Sequence, residues 1–395
     1  MQNKTLLVAF GGASPEHEVS VLTAHQAIAA LNSGSDYQIK PLYITKNGRW
    51  VTGEALLDLK NFEDLKKLEQ QSLPCRFAQN KYGATVLQED KKGILSRQSE
   101  TPVFAVLCAF HGSGGENGAF QGVCEMYNLP CTGSGVLGSA IGMDKVAAKS
   151  ICRGHDIPVV DSVDFLEQEW VDDEPVITAK IEKLDYPVIV KPVHLGSSIG
   201  VEIVKNRDEL IQAVETAFRY DRHILVEKVI SPLMEINCSV LGSAENLRAS
   251  VCERPLGKEE ILSFKDKYMS DESMKGMAAA DREIPADIPD ELASSIQETS
   301  KKIFRLLSCS GLVRLDFLVN SDTRQFYFNE INTIPGSFSF YLWKESGIDF
   351  DELIPELIDL ALKEHQQRNR RIQSYETNLL SKKAVKGIKG LKGNK

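Results

Sequence analysis

The sequence predicts an α/β protein of three domains, on three observations. At 395 residues the chain is too long for one compact core. Its first part alternates strand-like and helix-like patterns, the βαβ rhythm of a parallel sheet with helices on its faces. Its later part, from Ile236, alternates apolar and polar residues over successive short runs, which suits a mostly antiparallel sheet. The expected division is an N-terminal parallel α/β domain over 1–139, a small central α+β domain over 140–230 and a C-terminal α+β domain over 231–372. A basic, disordered tail is expected over 373–395.

In the first domain TLLVAF is a buried strand and GGAS a turn. Ser14 and Pro15 suit an N-cap and first helical position, opening a helix that runs towards Leu31. QIKPLYIT gives a second strand. Residues 54 to 100 are polar and irregular, an inserted helix and hairpin. PVFAVLCAF gives a third strand, ending in the glycine-rich HGSGGENG. In the second domain DKVAAKSICRGHDIP is a helix closed by a glycine turn, and YPVIVKP is a buried strand. VEIV, a helix over 207–218 and HILVEKVI follow. In the third, NCSVLG and RASVCERP precede a loop over 263–285, a helix over 289–308, then LVRLDFLV and QFYFNEIN.

Composition narrows the class. The chain is 42% hydrophobic and 26% charged, ordinary for a soluble globular protein. No stretch approaches the apolar length of a membrane span, and the N-terminus lacks a secretory pattern. Eight cysteines without CxxC or zinc spacing read as reduced thiols in a cytoplasmic protein. Net charge is −9, yet from Lys363 onward ten Lys/Arg face two Glu, so that end carries +8 and the remainder −17. A lysine-rich tail is a solvated end or a contact for nucleic acid or an anionic surface; the solvated end is the expectation, with no nucleic-acid partner.

Gly133, Gly135 and Gly138 match a dinucleotide fingerprint, but no good strand precedes them and no acidic strand end follows. Lys191 is more telling: it ends a buried strand, where an ammonium calls for an anion. The loop after it, with Gly196, Ser197, Ser198 and Gly200, offers hydroxyls and backbone N–H groups to phosphate oxygens. A surface hairpin with an incidental lysine is the alternative. Glu227 and Lys228 end an apolar strand at a hinge suited to an adenine edge, with Glu235 beyond it for ribose hydroxyls. Arg314 and Asp316 stand two apart and so share one strand face, as do Glu330 and Asn332. Were those strands paired, Asp316, Glu330 and Asn332 would form the all-oxygen set that Mg²⁺ prefers. Arg314 beside them would stabilise developing negative charge.

MDK, VIVKP with LGSSIG, VEK, RLDF and NEINTIPG, in this order, resemble the ATP-grasp enzymes. With SPEHEVS, HGSGGENG and TGSG the chain resembles, more narrowly, the D-alanine–D-alanine ligases, from residue 11 to about 365. Only the insertion and the tail fall outside. The resemblance implies the ATP-grasp fold and an ADP-forming ligation of two D-alanines through an acyl phosphate, for peptidoglycan precursors. Lys145, Lys191 and Ser198 would meet the ATP phosphates. Glu227, Lys228 and Ile230 would line the adenine pocket, Glu235 would hold the ribose, and Lys267 would reach the γ-phosphate. Asp316, Glu330 and Asn332 would bind two Mg²⁺, or Mn²⁺. Glu16 would receive the first D-alanine's ammonium, helped by Ser197 and Tyr268, with His111 nearby. Arg314 and the Gly336 N–H would form an oxyanion hole. A homodimer is also implied.

The chain departs from the family pattern at SFSFYLW. It puts Tyr341 and Leu342 where a serine and a leucine commonly help to hold the second substrate's carboxylate. D-serine, D-lactate or another amino acid stays open as acceptor, although DKYMSDE keeps the tyrosine of dipeptide-forming members. A silent nucleotide-binding protein of the same fold is the rival from another class.

Overall fold

The computed structural model describes residues 4–34, 36–90, 98–256, 282–372 and 374, and arranges them around three sheets. The first contains β1 (Lys4–Gly11), buried along all but its first residue, as a strand covered on both faces requires. β1 lies between β2 (Tyr37–Ile44) and β7 (Ala105–Cys108) and runs parallel to both. α1 (His17–Asn32) makes the crossover from β1 to β2 and buries Val19, Val21, Ala24, Ile28 and Leu31. It starts two residues later than Ser14 and Pro15 suggest. The Ser14 hydroxyl accepts the Glu16 N–H at 3.1 Å and forms a turn, so Glu16 takes the N-cap position instead.

The parallel trio is only part of this sheet. β3 (Trp50–Thr52), β4 (Leu73–Gln79), β5 (Thr85–Glu89) and β6 (Ser99–Pro102) extend it from β2, each antiparallel to the last. Much of the supposed insertion is therefore sheet, with α2 (Leu65–Gln71) between β3 and β4. α3 (Ala119–Met126), α4 (Val136–Met143) and α5 (Lys145–Gly154) follow β7. The glycine fingerprint runs into the start of α4 with no strand before it; Cys131 makes only an isolated bridge to Val106. A Cβ on Gly138 would come within 2.5 Å of the Ser308 carbonyl oxygen, so this glycine serves close packing.

The second sheet, order β10-β9-β11-β8, is antiparallel throughout: β8 (Ser162–Leu166), β9 (Val188–Pro192), β10 (Glu202–Val204) and β11 (His223–Lys228). α6 (Glu167–Ile181) and α7 (Arg207–Ala217) pack on it, and Trp170, Ile177, Leu210 and Val214 meet Val188, Val190, Ile224 and Val226. α6 leaves helical geometry at Asp173, two residues before Pro175, which erases its periodicity in the sequence.

The third sheet runs β14-β13-β12-β15-β16, all antiparallel. It comprises β12 (Leu233–Ser243), β13 (Asn246–Pro255), β14 (Arg282–Glu283), β15 (Gly311–Asn320) and β16 (Phe326–Asn332). Arg282 and Glu283 pair with Pro255 and Arg254, so the end of the expected 263–285 loop is strand; residues 263–281 lie outside the described residues. α8 (Asp290–Leu306) covers one face, and α5 joins it there: Ala148, Cys152 and Ile157 share a core with Ile296, Phe304, Val313 and Phe328. After α9 (Phe340–Glu345), α10 (Phe350–Asn369) returns to the first sheet. There Leu353, Ile354, Leu357 and Ile358 share one core with Leu6, Val8 and Leu107. All eight cysteines are free thiols, seven of them buried. Among the described residues no helix is long and apolar enough to cross a membrane.

Candidate active site

The site lies where the three sheets meet, and its phosphate side is built by ion pairs. Lys191, the penultimate residue of β9, is buried and donates to Glu227 Oε2 on β11 at 2.8 Å and to Asn329 Oδ1 on β16 at 3.2 Å. The other Glu227 oxygen accepts from Lys149 Nζ on α5, a contact with no local signal in the sequence. Burial alone would raise the Glu227 pKa; the attraction of Lys149 and Lys191 overcomes it and holds the carboxyl at about 2. Lys149 is lowered to about 8 by its burial, against the pull of Glu227. Lys145 lies one helical turn before Lys149. It pairs with Glu330 Oε2 at 3.2 Å and donates to the Leu195 carbonyl at 2.5 Å, strapping the loop after β9.

Glu227 is expected to line an adenine pocket, and its carboxylate faces these two ammoniums. Its neighbours Lys228 and Ile230 are exposed and half-buried at the end of β11, and Glu235 is half-buried on β12, where it pairs with Leu318. Ser197 and Ser198 both adopt left-handed backbone, φ 54° and 58°, which curls the loop tightly after Gly196.

The carboxylate cluster forms as the strand pattern predicts. β15 and β16 pair so that Arg314 opposes Asn332 and Asp316 opposes Glu330. Arg314 grips Asp316 with two bonds, Nε to Oδ1 at 2.7 Å and Nη2 to Oδ2 at 2.8 Å, and Asn332 Nδ2 adds a third at 3.1 Å. Among the described residues no three His, Cys, Asp or Glu side chains converge as a metal cage. Two carboxylates and an amide on paired strands fit instead the habit of Mg²⁺, which completes its shell with phosphate oxygens and water.

The first domain supplies the facing wall. Glu16, at the start of α1, accepts a hydrogen bond from the Ser197 hydroxyl. Gly112 permits the approach of this carboxylate: its φ is +73°, and a Cβ there would stand 2.8 Å from Glu16 Oε2. Glu116, from the same glycine-rich loop, accepts the N–H of Gly112 at 2.8 Å and of Ile334 at 3.0 Å, tying this wall to the turn after β16. Burial first, then the nearby Glu16, push its pKa up to about 8. His111 contacts Thr23 Oγ1 at 2.9 Å and is held neutral, at about 3, by burial and by Arg314. Thr23 also accepts the Ser337 N–H at 3.1 Å. Glu116 and Thr23 escaped the sequence reading; the position of Glu116 within HGSGGENG was the one available signal.

At the far end, Gly336 opens a short turn in which Ser337, Phe338 and Ser339 all have positive φ, 53°, 52° and 46°. This turn delivers α9. Leu342 is fully buried, while the Tyr341 hydroxyl donates to Glu253 Oε1 at 3.2 Å. Arg282 stacks 3.9 Å from the Tyr341 ring centre and bridges to Glu253 Oε2 at 3.0 Å. Asn237 donates to Glu253 as well, at 2.9 Å. Burial and the Glu253 charge raise the Tyr341 pKa. The remaining two expected site residues, Lys267 and Tyr268, lie outside the described residues.

Three sheets meeting around lysine-lined strand ends and a paired carboxylate strip define the ATP-grasp class of α/β ligase. Models of the D-Ala-D-Ala ligase N-terminus and C-terminus match residues 5–134 and 151–359. A D-alanine–D-alanine ligase of Thermosipho africanus is 38% identical over 377 residues, 95% of this chain and 98% of that protein. Among solved structures, the D-alanine-D-alanine ligase of Coxiella burnetii superposes with a TM-score of 0.79 at 29% identity, covering 96% of this chain and all of that one. The VanG D-Ala:D-Ser ligase of Enterococcus faecalis gives 0.74 at 31%, covering 91% of this chain and all of that one. The chain belongs to the D-alanine–D-alanine ligase family.

Proposed function

We propose that the protein joins two D-alanine molecules at the expense of ATP, in the cytoplasm and as a homodimer, to supply a peptidoglycan precursor. One contact carries the reading: Ser197, on the loop that leaves Lys191, bonds to Glu16 across the cleft. An ammonium-binding carboxylate thereby sits against a phosphate-type loop, as an amino-acid-activating enzyme needs. In this reading Glu16 takes the ammonium of the first D-alanine, with Tyr268 completing its surroundings. Lys145, Lys191, Ser198 and Lys267 hold the ATP phosphates. The hinge of Lys228 and Ile230 carries the adenine, and Glu235 the ribose. Asp316, Glu330 and Asn332 would hold Mg²⁺, which would supply positive charge against the ATP phosphates.

A carboxylate oxygen is a poor leaving group, so the first D-alanine is phosphorylated before the second one's amine attacks. Arg314 spends Nε and Nη2 on Asp316, which fixes the guanidinium plane. It thus acts with the Gly336 N–H as a preorganised oxyanion site for the tetrahedral intermediate. Tyr341 and Leu342 flank the acceptor end. The test is ATP-dependent phosphate release with D-alanine, D-serine and D-lactate, with product masses read. D-alanyl-D-alanine is the expected product, and no release with D-alanine alone would overturn the reading.

A further inference from the structure

Lys149 has no part in the reaction just described, yet it is among the largest fully buried side chains of the protein. An ammonium in such a place is costly unless a partner compensates it. Its partner is Glu227, and the same carboxylate holds Lys191. Two ammoniums thus share one carboxylate, leaving one net positive charge in a buried cluster. Lys145 adds nothing to that balance, being paired with Glu330. The cluster also joins two bodies. α5 packs in the core of the third sheet, whereas Glu227 and Lys191 belong to strands of the second.

We propose that Lys149 is a positioning residue for the nucleotide phosphates: by neutralising Glu227 it leaves the charge of Lys191 uncompensated and available to a polyphosphate. The proposal rests on reading this cleft as the ATP site. Without Lys149, Glu227 and Lys191 form a simple neutral pair and the attraction for phosphate falls. The sharing also fixes Lys191 in place, because its carboxylate partner is held from the other side. Lys149 acts through Glu227, so removing both charges together restores the balance.

The experiment titrates the full chain with ADP and with adenosine, in Mg²⁺, for the unmodified protein, Lys149→Met and the double variant Lys149→Met with Glu227→Gln. Lys149→Met should weaken ADP on the order of 10- to 100-fold, the effect of one unit charge several ångströms away at an effective dielectric of about 20. Adenosine affinity should stay unchanged, and in turnover the KM for ATP should rise more than kcat falls. The double variant should recover most of the ADP affinity, and it keeps the test open should the single variant fold poorly. ADP binding unchanged in Lys149→Met overturns the proposal, and so does an equal loss of adenosine binding, which marks a merely structural lysine. A double variant as weak as the single one overturns it too, because Lys149 would then act on the phosphates directly. If the unmodified protein binds neither ADP nor adenosine, it is the ATP reading that fails, and this proposal with it.

Discussion

The central and N-terminal domains close their cores in opposite ways. Every residue of the central core lies between Val163 and Phe165 at one end and Val226 at the other. The N-terminal core is finished by residues hundreds of positions away, among them Ile334, Phe338, Trp343, Leu353 and Leu357. The first and third sheets are thereby fused through apolar packing. The central domain meets them through polar contacts instead, Ser197 with Glu16, Lys191 with Asn329 and Lys149 with Glu227. Apolar packing is dense and resists sliding, while a polar boundary can part and wet without exposing a core. The wall that carries Glu16, His111 and Arg314 is accordingly held by apolar packing, and the wall that carries Lys191 by buried polar contacts.

That contrast is tested most strongly in the cores. Leu357→Ala and Leu210→Ala each empty a buried site, at a cost of about 2–5 kcal/mol. Leu357→Ala should raise amide exchange in both the first and third sheets, although Leu357 lies in neither. Leu210→Ala should raise it in the central sheet alone. Exchange confined to α10 in the first variant would break the comparison.

Arg314→Lys keeps the charge on the apolar-packed wall but loses the two-point grip on Asp316. Turnover should fall on the order of 10²- to 10³-fold, as for loss of an oxyanion donor, with the KM for ATP less affected. A raised KM for ATP with turnover unchanged would place Arg314 in ground-state binding instead.

The smallest effect belongs to the polar boundary. His194 sits between Asp144 at the start of α5, 3.4 Å away, and Asp221 of the central domain, 2.9 Å away. Hydrogen bonds to Asp144 and Asp221 raise its pKa from 6.5 to about 9. A raised pKa means that the protonated pairing stabilises fully below pH 6.5 and is lost as pH climbs through 9. Melting of the unmodified protein should weaken modestly across that window, since His194 is half-exposed. His194→Gln should flatten the dependence, and an unchanged slope would remove His194 from the boundary.

The legible parts of the sequence were those whose signal is local. Arg314 with Asp316 and Glu330 with Asn332 share faces because strands have period two, and pairing had only to bring the strips together. Lys191 stood out as a charge ending an apolar strand. Lys149 could not stand out: on a short amphipathic helix a lysine looks solvent-facing, and its partner Glu227 is 78 positions away. Arg282 and Glu253 were hidden likewise, since only the β13–β14 pairing brings them beside Tyr341. The helix and hairpin within 54–100 were legible as α2 with β4 and β5, but their joining to the first sheet was not, because β3 and β6 span three and four residues, too few for alternation to show.

The way α10 completes the first core has a consequence for biosynthesis. β1 leaves the ribosome about 340 residues before α10, yet the apolar face of its sheet waits for Leu353 to Ile358. The central domain has all its core residues by Val226 and can fold as a unit while the rest is still being made. The sheet begun before the central domain is thus closed after it. Until then the apolar strands Leu6–Phe10 and Ala105–Cys108 lack their cover, and a chain stopped before α10 should leave a folded centre flanked by an open, adhesive sheet.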